Sequence, residues 1–507
     1  MRQQSSYALL GTASNVGKSL LTVALCRYLK RRAVKVAPFK AINIALNSWV
    51  ADGGEMGLAQ AQQAVAAGIA PDVNMNPVLL KPSSGGQVQY VVLGRVKSDV
   101  ERMDRLTRRD YLRKVIIDSY TRLVADHELV LIEGSGSAAE MNLLEADLAN
   151  LWMARMASAR CVLVSDIDRG GVFASIIGTV ALFSQEDRRR FDGFIVNRLD
   201  GDPAQFEDGV TFLEAKSGMR CLGVVPKLRG LNLKDEDVLS LRTRFNRETD
   251  NEAGTIRIGI LELPHISNFS DFDPLRAEPT VELEYLTKPG TLASFDLVVI
   301  PGTKSTLNDL EWIQRTGWGE EVRNFAKRGG LVAGICGGFQ ILGMQIEDPD
   351  GVEGTSASSA EALGLLPVRT VMMGEKTTEQ VRGKCIQREM SNAEVEGYEV
   401  HMGRTDIVSA DATPMFQLKR LHDNKVLNDG AIALGGRVWG SYVHGLFDSD
   451  GFRLAFLNAI RKTRGLSSLR ELRAYSAGGY EHEIDRWTDH VVKHLDKKFL
   501  DRLSGPR

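Results

Sequence analysis

The sequence predicts an α/β protein of two doubly wound domains, each a parallel sheet wrapped by helices. Three observations predict it. Short apolar runs alternate with helical stretches in two separate series. A polar, aperiodic segment divides the series. Each series also contains an apolar run that ends in a glycine-rich turn carrying one reactive side chain, followed at once by a helical pattern.

The first series is YALLG (7–11), VKVAPF (34–39), LVLIEG (129–134), CVLVSDID (161–168), GFIVNR (193–198) and CLGVVP (221–226). Such runs have no polar face, so they predict strands covered on both sides, as in a parallel sheet. The stretch LRTRFNRETDNEAGT (241–255) is polar and without period, and predicts a linker. The second series is IRIGILEL (256–263), FDLVVIPG (295–302), GLVAGIC (330–336) and, much later, VWGSYVHGLF (438–447). Residues 347–430 show no clear pattern. The expected organisation is a first domain over 1–245, a linker over 246–254, a second domain over 255–455 and a helical tail over 456–507. Ile484, Trp487, Val491, Leu495 and Leu500 form an apolar stripe in the tail, expected to pack onto its own domain.

Composition narrows the function classes. The 507-residue chain is 43% hydrophobic and 25% charged, ordinary for globular protein, and its net charge of −2 supplies no basic field for nucleic acid or a membrane surface. The five cysteines, Cys26, Cys161, Cys221, Cys336 and Cys385, form no C-x-x-C pair. This predicts neither a disulfide framework nor a zinc site, and points to a reducing, cytoplasmic compartment. The first apolar run is too short for a signal peptide, and no membrane-spanning stretch follows.

The first reactive turn is GTASNVGKS (11–19), between a strand and a helix. Its backbone N–H groups are expected to cradle phosphates, with Lys18 reaching the outer phosphates and the Ser19 hydroxyl available to magnesium. Five residues separate Gly11 from Gly17, so Thr12 holds the usual first-glycine position. Thr12, Asn15, Gly17, Lys18 and Ser19 are the candidate ATP contacts. Glu133 ends a strand before glycines and is a candidate magnesium ligand. Asp166 and Asp168 end another, with turn capping as the alternative. Asn197 ends a third, where its amide could read a purine edge or simply serve the turn.

The second reactive turn is GLVAGICGGFQILG (330–343). A strand that ends on a thiol and turns on glycines into a helix has the form of a nucleophile elbow. The N–H of Gly337, with that of Gly302 in VVIPGTKST (298–306), is a candidate oxyanion donor. The helix terminus favours the thiolate of Cys336. His444 in SYVHGLF is the candidate base. His401 is the other choice, and His265 is expected near substrate or in a structural role.

The second half resembles class I glutamine amidotransferases of the subgroup serving cobalamin synthesis. The first half is similar to dethiobiotin synthetase, whose phosphate loop has the same spacing. Together, the stretches APFKAINIALNS, GGEMGLAQAQQAVAAGI, MNPVLLKP, ISNFSDFDPL, PGTKSTLNDL, GICGGFQILG, GYEVHMGRT and YVHGLFD resemble the cobyric acid synthase family over nearly the whole chain. The resemblance implies an amidoligase using ATP, Mg2+ and L-glutamine to amidate the b, d, e and g carboxylates of adenosylcobyrinic acid a,c-diamide. It implies that Cys336 forms a thioester with glutamine while His444 carries protons, and that the first domain makes an acyl phosphate. Lys40, Asn43 and Asn47 are expected to bind substrate, with loop and helix-cap roles as the alternative. The chain departs from the family pattern at Ile42, Ile44, Leu58 and His265. It also departs from most class I glutaminases at Leu446, where they carry a glutamate two residues after the histidine.

Two other readings share this layout. One is a cobyrinic acid a,c-diamide synthase, against which APFKAINIALNS and GYEVHMGRT speak. The other is a P-loop ATPase switch with an inactive amidotransferase module, against which the intact Cys336 and His444 speak.

Overall fold

The computed structural model describes residues 6–51, 54–82, 88–143, 147–234, 254–353, 358–472 and 477–505. The expected linker, apart from Gly254, lies outside the described residues.

All six apolar runs of the first series are strands of one parallel sheet. Their spatial order is Cys221–Pro226, Phe191–Leu199, Arg160–Asp166, Ser6–Gly11, Leu129–Glu133, Val36–Phe39. The chain leaves the central strand first towards one edge and later towards the other. That reversal opens a crevice at the strands' carboxyl ends, where the glycine-rich turn lies. The helix Lys18–Arg31 follows the turn and buries ten of its residues. One side packs on the sheet through a core containing Leu9, Leu131 and Ile195. The other side needs cover as well.

That cover comes from the far end of the chain. The tail helices Ala477–Lys493 and Lys497–Ser504, with the connection between them, place Ile484, Trp487, Val491, Leu495 and Leu500 in the same core. The Trp487 indole N–H donates to the Leu20 carbonyl at 2.7 Å. A bridge between Gly223 and Leu495 extends the contact to the sheet edge. The stripe expected on its own domain therefore packs on the first domain. The reason is the two-sided apolar surface of the helix it covers.

The second domain carries a six-stranded sheet in the order Val281–Leu286, Ile256–Leu261, Leu297–Ile300, Leu331–Ile335, Val438–Ser441, Ala431–Ala433. All neighbours are parallel except the last pair. The patternless stretch proves to hold a second, mostly antiparallel sheet. Its main strands, Val368–Cys385 and Glu394–Ile407, pair with each other, and the second of them also pairs with Val443–His444. These strands bury residues only intermittently, so they lack the continuous apolar runs that marked the others.

Candidate active sites

At the first site, backbone geometry holds a lysine. The Thr12 N–H donates to Val164 O at 2.9 Å, and the Thr12 and Ser165 hydroxyls lie 2.9 Å apart. Asn15 (φ 62°) and Gly17 (φ 92°) are in the left-handed region. A Cβ at Gly17 would lie 2.1 Å from Asn197 Nδ2, so only glycine fits. Lys18 Nζ donates to Ala13 O (3.0 Å) and Gly136 O (2.9 Å), which hold the ammonium at the loop. Burial, with the nearby Lys40 charge, lowers its pKa to about 8 against the pull of Glu133.

Glu133 is the hub. Its Oε1 accepts from Ser19 Oγ and Lys40 Nζ, each at 2.8 Å. Its Oε2 accepts from Gln63 Nε2 (2.5 Å) and Gln60 Nε2 (3.3 Å). Burial pushes its carboxyl up, but Lys40, Gln63 and Lys18 outweigh burial and hold it below the usual range. Asn43 donates to Gln60 Oε1 at 3.1 Å and so joins the cluster. Asn47 lies at the end of the same stretch. Its carbonyl accepts from Leu58 N–H (3.4 Å) at the start of the helix Leu58–Ala67. Asn197 Nδ2 donates to Val16 O at 2.9 Å, and its buried Oδ1 has no hydrogen-bond partner among the described residues. Asp166 caps its own turn through Asp168 N–H (2.7 Å) and pairs with Arg198, while Asp168 pairs with Lys227. Sequence reasoning missed Gln60 and Gln63. Their signal was an i, i+3 pair of amides on one face of a helix whose other residues are Leu, Ala, Val and Gln62.

The Ser19 hydroxyl and Glu133 carboxylate form a hard oxygen pair. Magnesium takes such a pair together with phosphate oxygens, so the residues present fit that ion.

At the second site, backbone strain presents a thiol. The Leu331–Ile335 strand ends at Cys336, whose φ of 52° and ψ of −110° no ordinary L-residue favours. The helix Gly337–Leu342 begins at once. A Cβ at Gly338 would stand 2.0 Å from Ile300 O, so this helix start can approach the neighbouring strand only as glycine. A Cβ at Gly337 would lie 2.5 Å from Thr303 Cγ2, and one at Gly302 would lie 3.1 Å from His444 Cε1. The turn after Ile300, the elbow and the histidine are thus in mutual contact. Cys336 Sγ lies 3.6 Å from Val400 O.

His444 is buried at the end of the short strand Val443–His444. Its Nδ1 meets Asp271 Oδ2 at 2.7 Å, and the Gly445 N–H donates to Asp271 Oδ1 at 3.0 Å. Its Nε2 meets Asn268 Nδ2 at 3.2 Å, and the Tyr398 ring stacks on it with centroids 5.4 Å apart. Burial alone would lower its pKa. Asp271 and the Cys336 thiolate more than offset burial and raise it to about 10. The carboxylate missing at Leu446, which is buried in the apolar core, is supplied by Asp271, 173 residues before His444. Asp271 lies on the turn Phe269–Phe272, inside the stretch ISNFSDFDPL. His401 is engaged elsewhere, with Nδ1 on Gly403 O (2.8 Å) and its ring stacked on Tyr442. His265 pairs with Asp309 (2.7 Å), which also accepts from the Thr303 hydroxyl and so braces the turn at Gly302.

Comparisons with known proteins match both halves. Residues 7–239 match the CobQ/CobB/MinD/ParA nucleotide binding domain, and residues 257–452 match the CobB/CobQ-like glutamine amidotransferase domain. A cobyric acid synthase from Syntrophobacter fumaroxidans is 44% identical over 98% of this chain and 98% of its own. Relatives of the same name from Sorangium cellulosum (98% of each chain) and a Thermoanaerobacter species (96% of each) are both 42% identical. Neither alternative reading is favoured by these matches. With an ATP-type phosphate loop and a thiol–imidazole–carboxylate set on one polypeptide, and with relatives aligned from end to end, the chain belongs to the cobyric acid synthase family.

Proposed function

We propose that the chain amidates the b, d, e and g carboxylates of adenosylcobyrinic acid a,c-diamide, using ATP and L-glutamine. The observation that carries this reading is the Cys336–His444–Asp271 set in the same chain as the Lys18 loop. One supplies ammonia and the other activates a carboxylate to receive it.

In the glutaminase half, His444 Nε2 takes the Cys336 thiol proton, and the thiolate attacks the carboxamide carbon of glutamine. The Gly302 and Gly337 N–H groups are the donors for the oxyanion. The imidazolium returns its proton to the leaving nitrogen, and ammonia departs. Water then opens the thioester to glutamate. Asp271 holds the ring and stabilises its charged form.

In the first domain, the loop amides, with Thr12, Asn15, Gly17, Lys18 and Ser19, bind the phosphates of ATP. The orphaned Asn197 Oδ1 is an acceptor for the exocyclic amine of adenine. A substrate carboxylate oxygen attacks the γ-phosphorus, ADP leaves, and ammonia displaces phosphate from the acyl phosphate. Lys18 stabilises charge on the transferred group. Lys40, Asn43 and Asn47 orient the carboxylate. Mg2+, held by Ser19 and Glu133, would neutralise charge on the outer phosphates. The five free thiols fit a reducing cytoplasm, and no helix among the described residues is long and apolar enough to cross a membrane.

Incubation with ATP, magnesium, glutamine and the a,c-diamide tests the reading. Mass spectrometry should show four successive carboxyl-to-amide changes. No amidated product, or one altered only at a and c, would overturn it.

A further inference from the structure

Asn268 is the point where the two domains meet the chemistry. It is buried, its backbone is left-handed (φ 50°, ψ 37°), and it stands three residues before Asp271. Its Oδ1 accepts the Ser48 N–H at 3.0 Å, and Ser48 opens the first domain's Ser48–Ala51 strand. A backbone N–H can only donate, so this contact fixes which end of the amide is oxygen. The NH2 end therefore faces His444 Nε2 at 3.2 Å. Asp271 takes the proton on Nδ1. On Nε2 the ring thus meets an amide NH2, a donor, while Asp271 and Cys336 favour its charged form.

Catalysis needs the Nε2 lone pair for the thiol proton. Once protonated, Nε2 would point its N–H at the Asn268 NH2, two donors facing each other in a buried place. An unsatisfied buried donor is costly, more so when charged. Asp271 and the Cys336 thiolate favour the imidazolium; the amide opposes it. Reversing the amide would place Oδ1 on the imidazolium but would turn the NH2 against the Ser48 N–H. Asn268 can satisfy either Ser48 or a charged His444, not both.

Ser48 is in turn tied to the first site. It follows directly on the 40–47 stretch, where Lys40 binds Glu133 and Asn43 binds Gln60. Its hydroxyl accepts from Lys81 (3.0 Å), and Lys81 pairs with Glu55, which also pairs with Lys376 of the second domain. The adjacent Trp49 ring packs on Tyr398, the residue stacked on His444.

We propose that Asn268 is a positioning residue that couples the two sites. While the Ser48 N–H holds its oxygen, its NH2 sets a donor against His444 Nε2, opposes the charged ring that Asp271 and the Cys336 thiolate favour, and the glutaminase idles. When ATP and the acceptor order the 40–47 stretch, Ser48 withdraws, the amide turns, and its oxygen accepts from the imidazolium. The proton that moves is the Cys336 thiol proton, to His444 Nε2. The titratable groups facing the ring are Asp271, Cys336 and Tyr398, and of these only Cys336 changes its protonation in this step.

The inference rests on the glutaminase reading, which Cys336→Ala tests separately, since that change must abolish hydrolysis in every background. The full chain is assayed without ATP or acceptor for glutamine hydrolysis and, across pH, for alkylation of Cys336 by iodoacetamide. Asn268→Asp offers acceptors to both Ser48 and the imidazolium. Asn268→Gly removes the amide, adds no charge and tolerates the left-handed backbone. Idle hydrolysis should rise at least about tenfold in N268D and about threefold in N268G. The alkylation profile should move to lower pH in both, and added ATP, magnesium and acceptor should stimulate them less than wild type. Ser48→Pro, which removes the donor from the other domain at a strand's first residue, should shift idle hydrolysis the same way. Idle hydrolysis that is unchanged or lower in these variants would overturn the proposal. So would a rise confined to N268D, which would assign the effect to added charge, or a wild type unstimulated by ATP and acceptor.

Discussion

The phosphate loop and the cysteine elbow share one plan and differ in how far they reach for help. Each follows a central parallel strand, turns through a left-handed residue and starts a helix at its reactive side chain. Lys18 is held by carbonyls of its own loop and of the loop after the adjacent strand. Cys336 depends on side chains from separate segments: His444, Asp271 and, through Asn268, Ser48 of the other domain. A phosphate site needs a fixed field of backbone dipoles, which one turn can supply. A thiol nucleophile needs a proton carrier with its own orienting group, which one turn cannot supply.

That contrast can be broken by mutation. Lys18→Ala should abolish synthesis with either nitrogen source. Cys336→Ala should abolish only the glutamine-dependent reaction and leave activity with ammonium salt. Loss of both together in C336A would deny that the sites are separable. Next in size, Asp271→Asn should lower glutaminase kcat by about 10²–10⁴-fold while sparing ammonium-driven synthesis. The His444 pKa is raised, so the stability this pair contributes is full below the ordinary pKa of about 6.5 and fades as pH rises towards about 10. D271N should therefore destabilise the protein more at pH 6 than at pH 10 in chemical denaturation, and should move the Cys336 alkylation profile to higher pH.

Smaller effects test how local the phosphate loop is. Trp487→Ala removes an indole packed behind the loop helix and should cost about 3–5 kcal/mol in denaturant titration. A loss that small domain repacking hides entirely would show that the tail is ornamental to this domain. Arg31→Ala breaks half-exposed pairs with Asp485 and Asp489 across the same contact. It should cost under about 1 kcal/mol, less at high salt.

Much of this was legible in the residues. The six strands of the first sheet announced themselves because burial on both faces demands unbroken apolar runs. Cys336 and Lys18 announced themselves because strand–turn–helix geometry needs glycine at fixed places. The long strands after residue 367 did not, because a half-covered sheet leaves an interrupted pattern. Asp271 escaped because chain distance from His444 carries no sign of it, while the fold brings the carboxylate from the turn beside the first strand of that domain. Glu133 was legible as a strand-end carboxylate, but its partners Gln60 and Gln63 hid in a helix that reads as apolar packing. The tail was misplaced because an amphipathic stripe states that it is covered, and not by what.

The tail's return to the first domain has a consequence for biogenesis. The ribosome makes the phosphate-loop sheet before the second domain, yet the helices that cover its lead helix follow that domain in the chain. The phosphate-loop domain cannot finish folding until the second domain has been made, so its apolar flank stays open during that interval, where a chaperone can reach it.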